Sequence, residues 1–275
     1  MTPRIAFIGD LTIDVYPQRR RVHLSGSSLN SSIWAKRLGA TPSIVAAVGE
    51  DASGKKFLQK LKHEDIDATH VRTLPGKTSS IEIFTDKSGE HRFGDWNPGV
   101  LAKFHLDESD AGFFKKQHAV SLTVYGPTRH LLDEFVRFGA GKKHRLPLVS
   151  VDFDDLSQLG KDADVVESCM GALDVAFLGL DKDVDEDLIN RLKQVAAESG
   201  KLIIVTLAAY GAIAFLGSQS FIHPAPNVRV KDTTGAGDAF IAGFLVSYLR
   251  KRSVPQALRI ASQTAGQAIQ HLGAY

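Results

Sequence analysis

Short apolar runs separated by amphipathic stretches constrain this chain more than any other feature. Residues 5–8, 43–48, 119–124, 148–153, 174–178 and 202–207 are each four to six residues long, mostly Ala, Val, Ile, Leu and Phe. They are too short for buried helices and read as strands covered on both faces. Residues 28–38, 54–61, 129–138, 186–198, 236–250 and 255–272 have helical periodicity. Gly39 stands where the first of these helices should end, and Pro42 follows just beyond. Alternating strands and helices argue for βα units around a mainly parallel sheet. Such sheets bind ligands beyond the carboxyl ends of their strands.

One stretch departs from this rhythm. Residues 79–86, SSIEIFTD, alternate apolar and polar, as a strand with one wet face does. Residues 87–90 read as a turn, residues 91–93 return, and residues 15–24 supply further strands. The expectation is one domain over residues 1–275 with a small β lid, about residues 15–24 and 79–95, set into it.

The richest chemistry lies in Asp232-Thr233-Thr234-Gly235-Ala236-Gly237-Asp238-Ala239-Phe240, between an extended segment at 227–231 and an apolar helix. Glycines at a helix N-terminus bring free backbone N–H groups close to an anion, and the helix dipole adds positive potential. Asp238 falls in the first turn. It either stabilises the helix dipole or, in a phosphate-binding turn, accepts a hydroxyl proton during attack on a phosphoryl group. No Gly-Lys-Ser/Thr follows, so this is not a Walker A loop.

Composition narrows the rest. A net charge of +2, with Arg19-Arg20-Arg21 as the longest basic run, offers no nucleic-acid stripe. The single cysteine, Cys169, precludes an intrachain disulfide and reads as a buried small hydrophobe, in keeping with a cytoplasmic protein. No apolar run approaches the ~18 residues that span a bilayer. No His/Cys cluster has zinc spacing.

The nine-residue turn resembles the C-terminal signature of the ribokinase (PfkB) sugar-kinase family. The likeness runs along nearly the whole chain. Gly9-Asp10 through Asp14 is similar to the family's first strand and sugar-binding aspartate. Ser25-Gly26-Ser27-Ser28-Leu29-Asn30 takes the place of its N-terminal glycine signature, and Val48-Gly49-Glu50-Asp51 with Gly54 matches a further common piece. The resemblance implies an α/β fold, a ribokinase-like three-layer α/β/α sandwich with a mainly parallel sheet and a small β-strand lid. It implies ATP as phosphoryl donor, an anion hole at Gly235, Ala236 and Gly237, and Asp238 as the base. Within the family, Asp14-Val15-Tyr16-Pro17-Gln18, Arg92-Phe93-Gly94-Asp95, residues 240–245 and residues 269–275 are most similar to members acting on fructosamines. The implied reaction phosphorylates the 6-hydroxyl of a fructosamine such as fructoselysine. Another ketose, a pentose or a nucleoside is the alternative substrate.

The residues themselves are compatible with this. Asp14, just past the first strand, is either a sugar ligand or a turn former. Asn30 either orients the sugar or satisfies a helix N-terminus. Gly26 lets the backbone approach. Asp95 and Glu90 face an amine or are solvated hairpin residues. Arg92 steers an anion or lies on the surface. The adenine groove is expected from residues 207–211, 221–228 and 261–267, with Thr206, Ala208, Gly211 and Thr234 at the nucleotide. Phosphoryl transfer from ATP needs Mg²⁺, which requires few protein ligands. The resemblance further implies a monovalent cation such as K⁺ beside Asp232, Thr234, Ala268, His271 and Gly273, and a homodimer through the lid.

Three departures from the family pattern stand out. Position 25 is Ser rather than Gly. Residues 177–181 lack the family's Asn-x-x-Glu. Ala208 replaces a common Gly. The last two also allow a binding protein without turnover. A nicotinamide-dependent oxidoreductase would need Gly-x-Gly-x-x-Gly after the first strand, and Gly9-Asp10-Leu11-Thr12 is not that.

Overall fold

The computed structural model describes residues 1–85, 91–140, 147–155, 163–180 and 186–275. Its main sheet has nine strands in the order β13-β12-β11-β10-β9-β8-β1-β4-β5. The strands are β1 (Arg4–Ile8), β4 (Thr41–Gly49), β5 (Asp67–Leu74), β8 (Ala119–Thr123), β9 (Leu148–Asp155), β10 (Val175–Gly179), β11 (Leu202–Thr206), β12 (Ala212–Leu216) and β13 (Gln219–His223). From β5 to β11 all pairings are parallel; at the other edge the β11–β12 and β12–β13 pairings are antiparallel. The β5 edge and the β12–β13 hairpin were not expected. Strand β5 alternates half-buried and exposed residues, so no continuous apolar run announces it.

Alternation along β1 builds the layers. Ile5 and Phe7 enter one core with Trp34, Phe240, Phe244 and Leu258. Ala6 and Ile8 enter the other with Phe114, Leu131, Val166 and Leu192. Successive side chains of a strand point to opposite faces, so a strand apolar throughout must be covered twice. Helices α1 (Ser27–Arg37), α7 (Ala236–Lys251) and α8 (Val254–Ala268) cover the first face. Helix α2 (Ala52–His63) extends that layer, with Phe57 and Leu61 packed on Leu29, Ile33 and Ile44. Helices α3 (Glu108–Phe114), α4 (Arg129–Ala140), α5 (Ala163–Cys169) and α6 (Glu186–Ser199) cover the second. Helix α7 packs on the sheet with α1 on one side and α8 on the other, which explains why it is apolar on nearly every side. Helix α8 stops at Ala268, four residues before the expected end, and the chain turns through residues 269–273. Among the described residues no helix is long and apolar enough to cross a membrane. Cys169 is buried, as expected, and burial pushes its thiol pKa up.

A second sheet of four strands, ordered β3-β2-β6-β7, stands at the carboxyl end of the first. It is built from β2 (Thr12–Tyr16), β3 (Arg21–Ser25), β6 (Ser79–Thr85) and β7 (His91–Asn97). β6 and β7 form the anticipated antiparallel pair. The turn expected at 87–90 lies outside the described residues. β3 is an edge strand, and its Val22 is 62% exposed.

Candidate active site

Strands β1, β8, β9, β10 and β11 end side by side, and α7 begins against them. Gly235 precedes α7 with φ +74°, and a Cβ there would stand 2.5 Å from Ala274 Cβ. Both the left-handed backbone and the missing space therefore require glycine. Gly237 differs: a Cβ there would meet nothing within 4 Å. Its freedom faces open space. No side chain caps α7, so the first-turn amides keep the donor capacity that an anion can use.

Asp238 lies in that first turn. Its Oδ2 accepts a hydrogen bond from Asn30 Nδ2 at 2.9 Å, and its carbonyl accepts one from Ser31 Oγ at 3.3 Å. Burial raises the Asp238 pKa to about 7. The Asn30 bond opposes that rise, and the charges of Asp10 and Asp154 add to it. A carboxylate with such a value is about half ionised at neutral pH, where a general base works best. Asn30 Nδ2 also lies 3.5 Å from Ser25 Oγ, while Asn30 Oδ1, buried with the rest of its side chain, has no partner among the described residues. A buried acceptor left open is costly unless a ligand donates to it.

Asp14, on β2, is 6% exposed. Burial lifts its pKa to about 7 as well, against a hydrogen bond from Ser25 and with Asp10 and Asp232 adding to the rise. Gly26 has φ +105°, and a Cβ would stand 2.6 Å from the Asp10 carbonyl oxygen. The turn thus needs glycine, and it sets Ser27 at the start of α1. Asp14, Gly26, Asn30 and Asp238 are brought together. Asp95 is exposed on β7. Arg92 pairs through its backbone with Phe84. Glu90 lies outside the described residues.

A cavity of about 70 Å³ opens beside the base. It is lined by Asp152 and Asp154 at the end of β9, Gly179 on β10, Thr206 on β11, and Gly237 and Phe240 on α7. Thr206 Oγ1 donates to the Leu178 carbonyl at 3.2 Å. Ala208 adopts φ +46°, so it keeps the left-handed backbone that the expected glycine would take freely. Gly211 has φ +102° and leaves no room for a Cβ, which would stand 2.1 Å from the His223 carbonyl oxygen. Gly266 of α8 packs on Pro226, so the loop at 207–211, the segment after β13 and α8 lie against one another. Asp232 Oδ1 accepts from the Thr234 amide and its Oδ2 from the Gly273 amide, each at 2.9 Å. The His271 amide donates to the Ala268 carbonyl. The residues singled out for a monovalent cation therefore lie together.

Asp10, Asp152, Asp154 and Tyr125 were not singled out as site residues. Burial, first of all, raises the pKa of Asp10. It also raises Asp152 and Asp154, which repel one another. The available signal was position alone, since each closes an apolar strand at its carboxyl end.

The pfkB family carbohydrate kinase model matches residues 4–132 and 167–275. The fructoselysine 6-kinase of Escherichia coli K12 is 32% identical over 271 residues, covering 98% of this chain and 99% of that protein. The fructosamine kinase FrlD of Bacillus subtilis 168 is 27% identical, covering 99% of this chain and 93% of that protein. A solved nucleoside kinase of Methanocaldococcus jannaschii, an archaeal member of the ribokinase family, superposes with a TM-score of 0.78 at 20% identity. The match covers 99% of this chain and 93% of that one.

Proposed function

Because the chain belongs to the pfkB family of carbohydrate kinases, with a ribokinase-like α/β fold and phosphotransferase activity on a sugar hydroxyl, we propose that it transfers the γ-phosphate of ATP to the 6-hydroxyl of a fructosamine such as fructoselysine. The observation that carries the chemistry is Asp238, half-buried at the start of α7 with a neutral donor on its carboxylate and a pKa raised to about 7. The substrate class rests on 32% identity across 98% of the chain to a fructoselysine 6-kinase.

In this reading Asp14 and Asn30 hold the sugar, with Asn30 Oδ1 free to accept from a hydroxyl. Asp238 takes the proton of the attacking hydroxyl. The backbone amides at Gly235, Ala236 and Gly237 receive the migrating phosphoryl group in the space before Gly237. The small sheet acts as a lid that excludes water, with Arg92 and Asp95 on its rim. The adenine lies in the groove of Ala208, Gly211 and α8, and its phosphates run past Thr206 and Thr234.

The donor set on the cavity wall fits Mg²⁺: Asp152, Asp154 and Thr206 offer hard oxygens. Mg²⁺ keeps most of its waters and needs few protein ligands. When bound, Mg²⁺ supplies charge neutralisation at the β and γ oxygens. For K⁺, the candidates are the oxygens of Asp232, Thr234, Ala268, His271 and Gly273. A homodimer would use the open β3 edge.

The test is ADP release from Mg-ATP against fructosamines, fructose, ribose and nucleosides, with Asp238→Asn as the blank. Turnover on a fructosamine that vanishes in the variant supports the reading. Turnover confined to another sugar or a nucleoside removes the fructosamine assignment. Silence on every sugar, with thermal stabilisation by one of them, favours a binding protein.

A further inference from the structure

We propose that Asp10 is a positioning residue through which the small sheet controls the seating of Asp238, an inference that rests on the kinase reading for its purpose but not for its test. Asp10 lies two residues beyond the end of β1 and is almost fully buried. Its Oδ1 accepts the Ser27 amide at 2.9 Å, and the side chains of Thr12 and Tyr125 hydrogen bond to the same carboxylate. There is no slack around it: a Cβ on Gly26 would stand 2.8 Å from Asp10 Oδ2.

Two routes reach this carboxylate from one lid residue, Trp96 on β7. The first passes through Tyr125, whose ring centroid lies 4.8 Å from that of Trp96 and whose hydroxyl bonds Asp10. The second passes through Ser79. Trp96 Nε1 donates to Ser79 Oγ at 3.1 Å, and Ser79 Oγ lies 3.0 Å from Thr12 Oγ1. Ser79 Oγ accepts from both Trp96 and Thr12. Thr12 carries one hydroxyl hydrogen, which serves either Ser79 or the Asp10 carboxylate, so what Trp96 does to Ser79 bears on what Asp10 receives.

On the other side of Asp10 the connection continues to the base. Ser27, held by Asp10, opens α1. One turn further, Asn30 and Ser31 make the two hydrogen bonds that fix Asp238. A buried carboxylate that loses a donor re-sorts its remaining partners, because an unmet acceptor costs more than a bond contributes. Displacing Trp96 therefore shifts what Asp10 can hold, and the first turn of α1 carries that shift to Asp238. Closing the sheet over a sugar and aligning the base become one event.

Tyr125→Phe and Thr12→Val each cut one route at nearly constant volume, and the double variant cuts both. The reporter is exchange of the Ser27 amide hydrogen, which needs no substrate. We expect less than about threefold acceleration in each single variant and roughly tenfold or more in the double, a non-additive pattern. Trp96→Phe keeps a ring on Tyr125 but loses the indole N–H, so it should match Thr12→Val even if the double variant folds poorly. Wild-type exchange in the double variant, or in Trp96→Phe when Thr12→Val is fast, overturns the coupling. On the sugar that the wild type phosphorylates, the double variant should lose about tenfold in kcat with KM for ATP within about twofold. A wild type inactive on every sugar would remove the kinase reading and leave the exchange result to decide the coupling alone.

Discussion

Asp110, fully buried, and Asp238, half-buried, each stand in the first turn of a helix, and their surroundings could hardly differ more. Asp110, in α3, is 0% exposed and meets two basic side chains, Arg72 Nη2 at 2.6 Å and His70 Nδ1 at 2.8 Å. It also closes a capping box with Asp107. These contacts pin α3 to the β5 edge. Asp238 has a neutral amide on its carboxylate and anions as neighbours, with no cation in contact among the described residues. A carboxylate placed for stability is matched with positive charge. One placed to take up a proton is denied it, because a close cation would remove its basicity.

The strongest way to break this contrast is Asp238→Asn. Turnover should fall by about 10²–10⁴-fold, the usual worth of a general base, while sugar affinity measured by titration calorimetry changes far less. Stability should move the other way. An aspartate whose pKa is raised from 3.8 to about 7 holds its proton more tightly folded than unfolded, so between about pH 4 and 7 it makes the fold less stable as pH rises. The variant should therefore melt at or above the wild type at pH 8, with the gap closing below about pH 5. Activity of the wild type should fall as pH drops through about 7, where the base takes its proton. A variant that melts lower at pH 8 than at pH 5 relative to the wild type would refute the assignment.

Arg72→Met makes the opposite case. It leaves Asp110 buried with a reduced partner set and should lower unfolding free energy by roughly 2–3 kcal/mol in urea, with kcat of the folded enzyme retained. The two glycines of the turn sharpen the contrast further. Gly235→Ala meets Ala274 and a positive φ, so it should lower the melting temperature. Gly237→Ala meets no protein atom and should leave melting nearly unchanged while turnover drops at least about tenfold, its methyl occupying the phosphoryl space. Smallest is Ala208→Gly. Relieving φ +46° should stabilise by about 1 kcal/mol, less the entropy that glycine brings to the unfolded chain.

The parallel core was legible because its strands are apolar on both sides, and a run such as IAFI admits few other readings. The β12–β13 hairpin escaped because AIAFL and QSFIH differ in exposure, and pattern alone does not pair them. Within the site, Asp238 and its glycines are contiguous and could be read from the chain. Asp14, Gly26 and Asn30 needed the family likeness, and the structure sets them beside the base. Asp10, Asp152 and Asp154 belong to no compact motif. What makes them a group is the convergence of strand ends, which exists only once the sheet has formed. Tyr125 gave no warning, since an aromatic after a buried strand is ordinary core until its hydroxyl is seen on Asp10.

The bond from Asn30 to Asp238 joins residues 208 positions apart. In the order of synthesis, the amide exists long before the carboxylate it will hold. Strands β1, β4 and β8 can pair while α7 is still unmade, yet the reactive centre cannot. A chain with many such distant pairings folds slowly, and in renaturation the catalytic power should return only after most of the backbone structure. Until then the mouth of the sheet is a row of unmatched acids, and the last helices to dock convert it into a working centre.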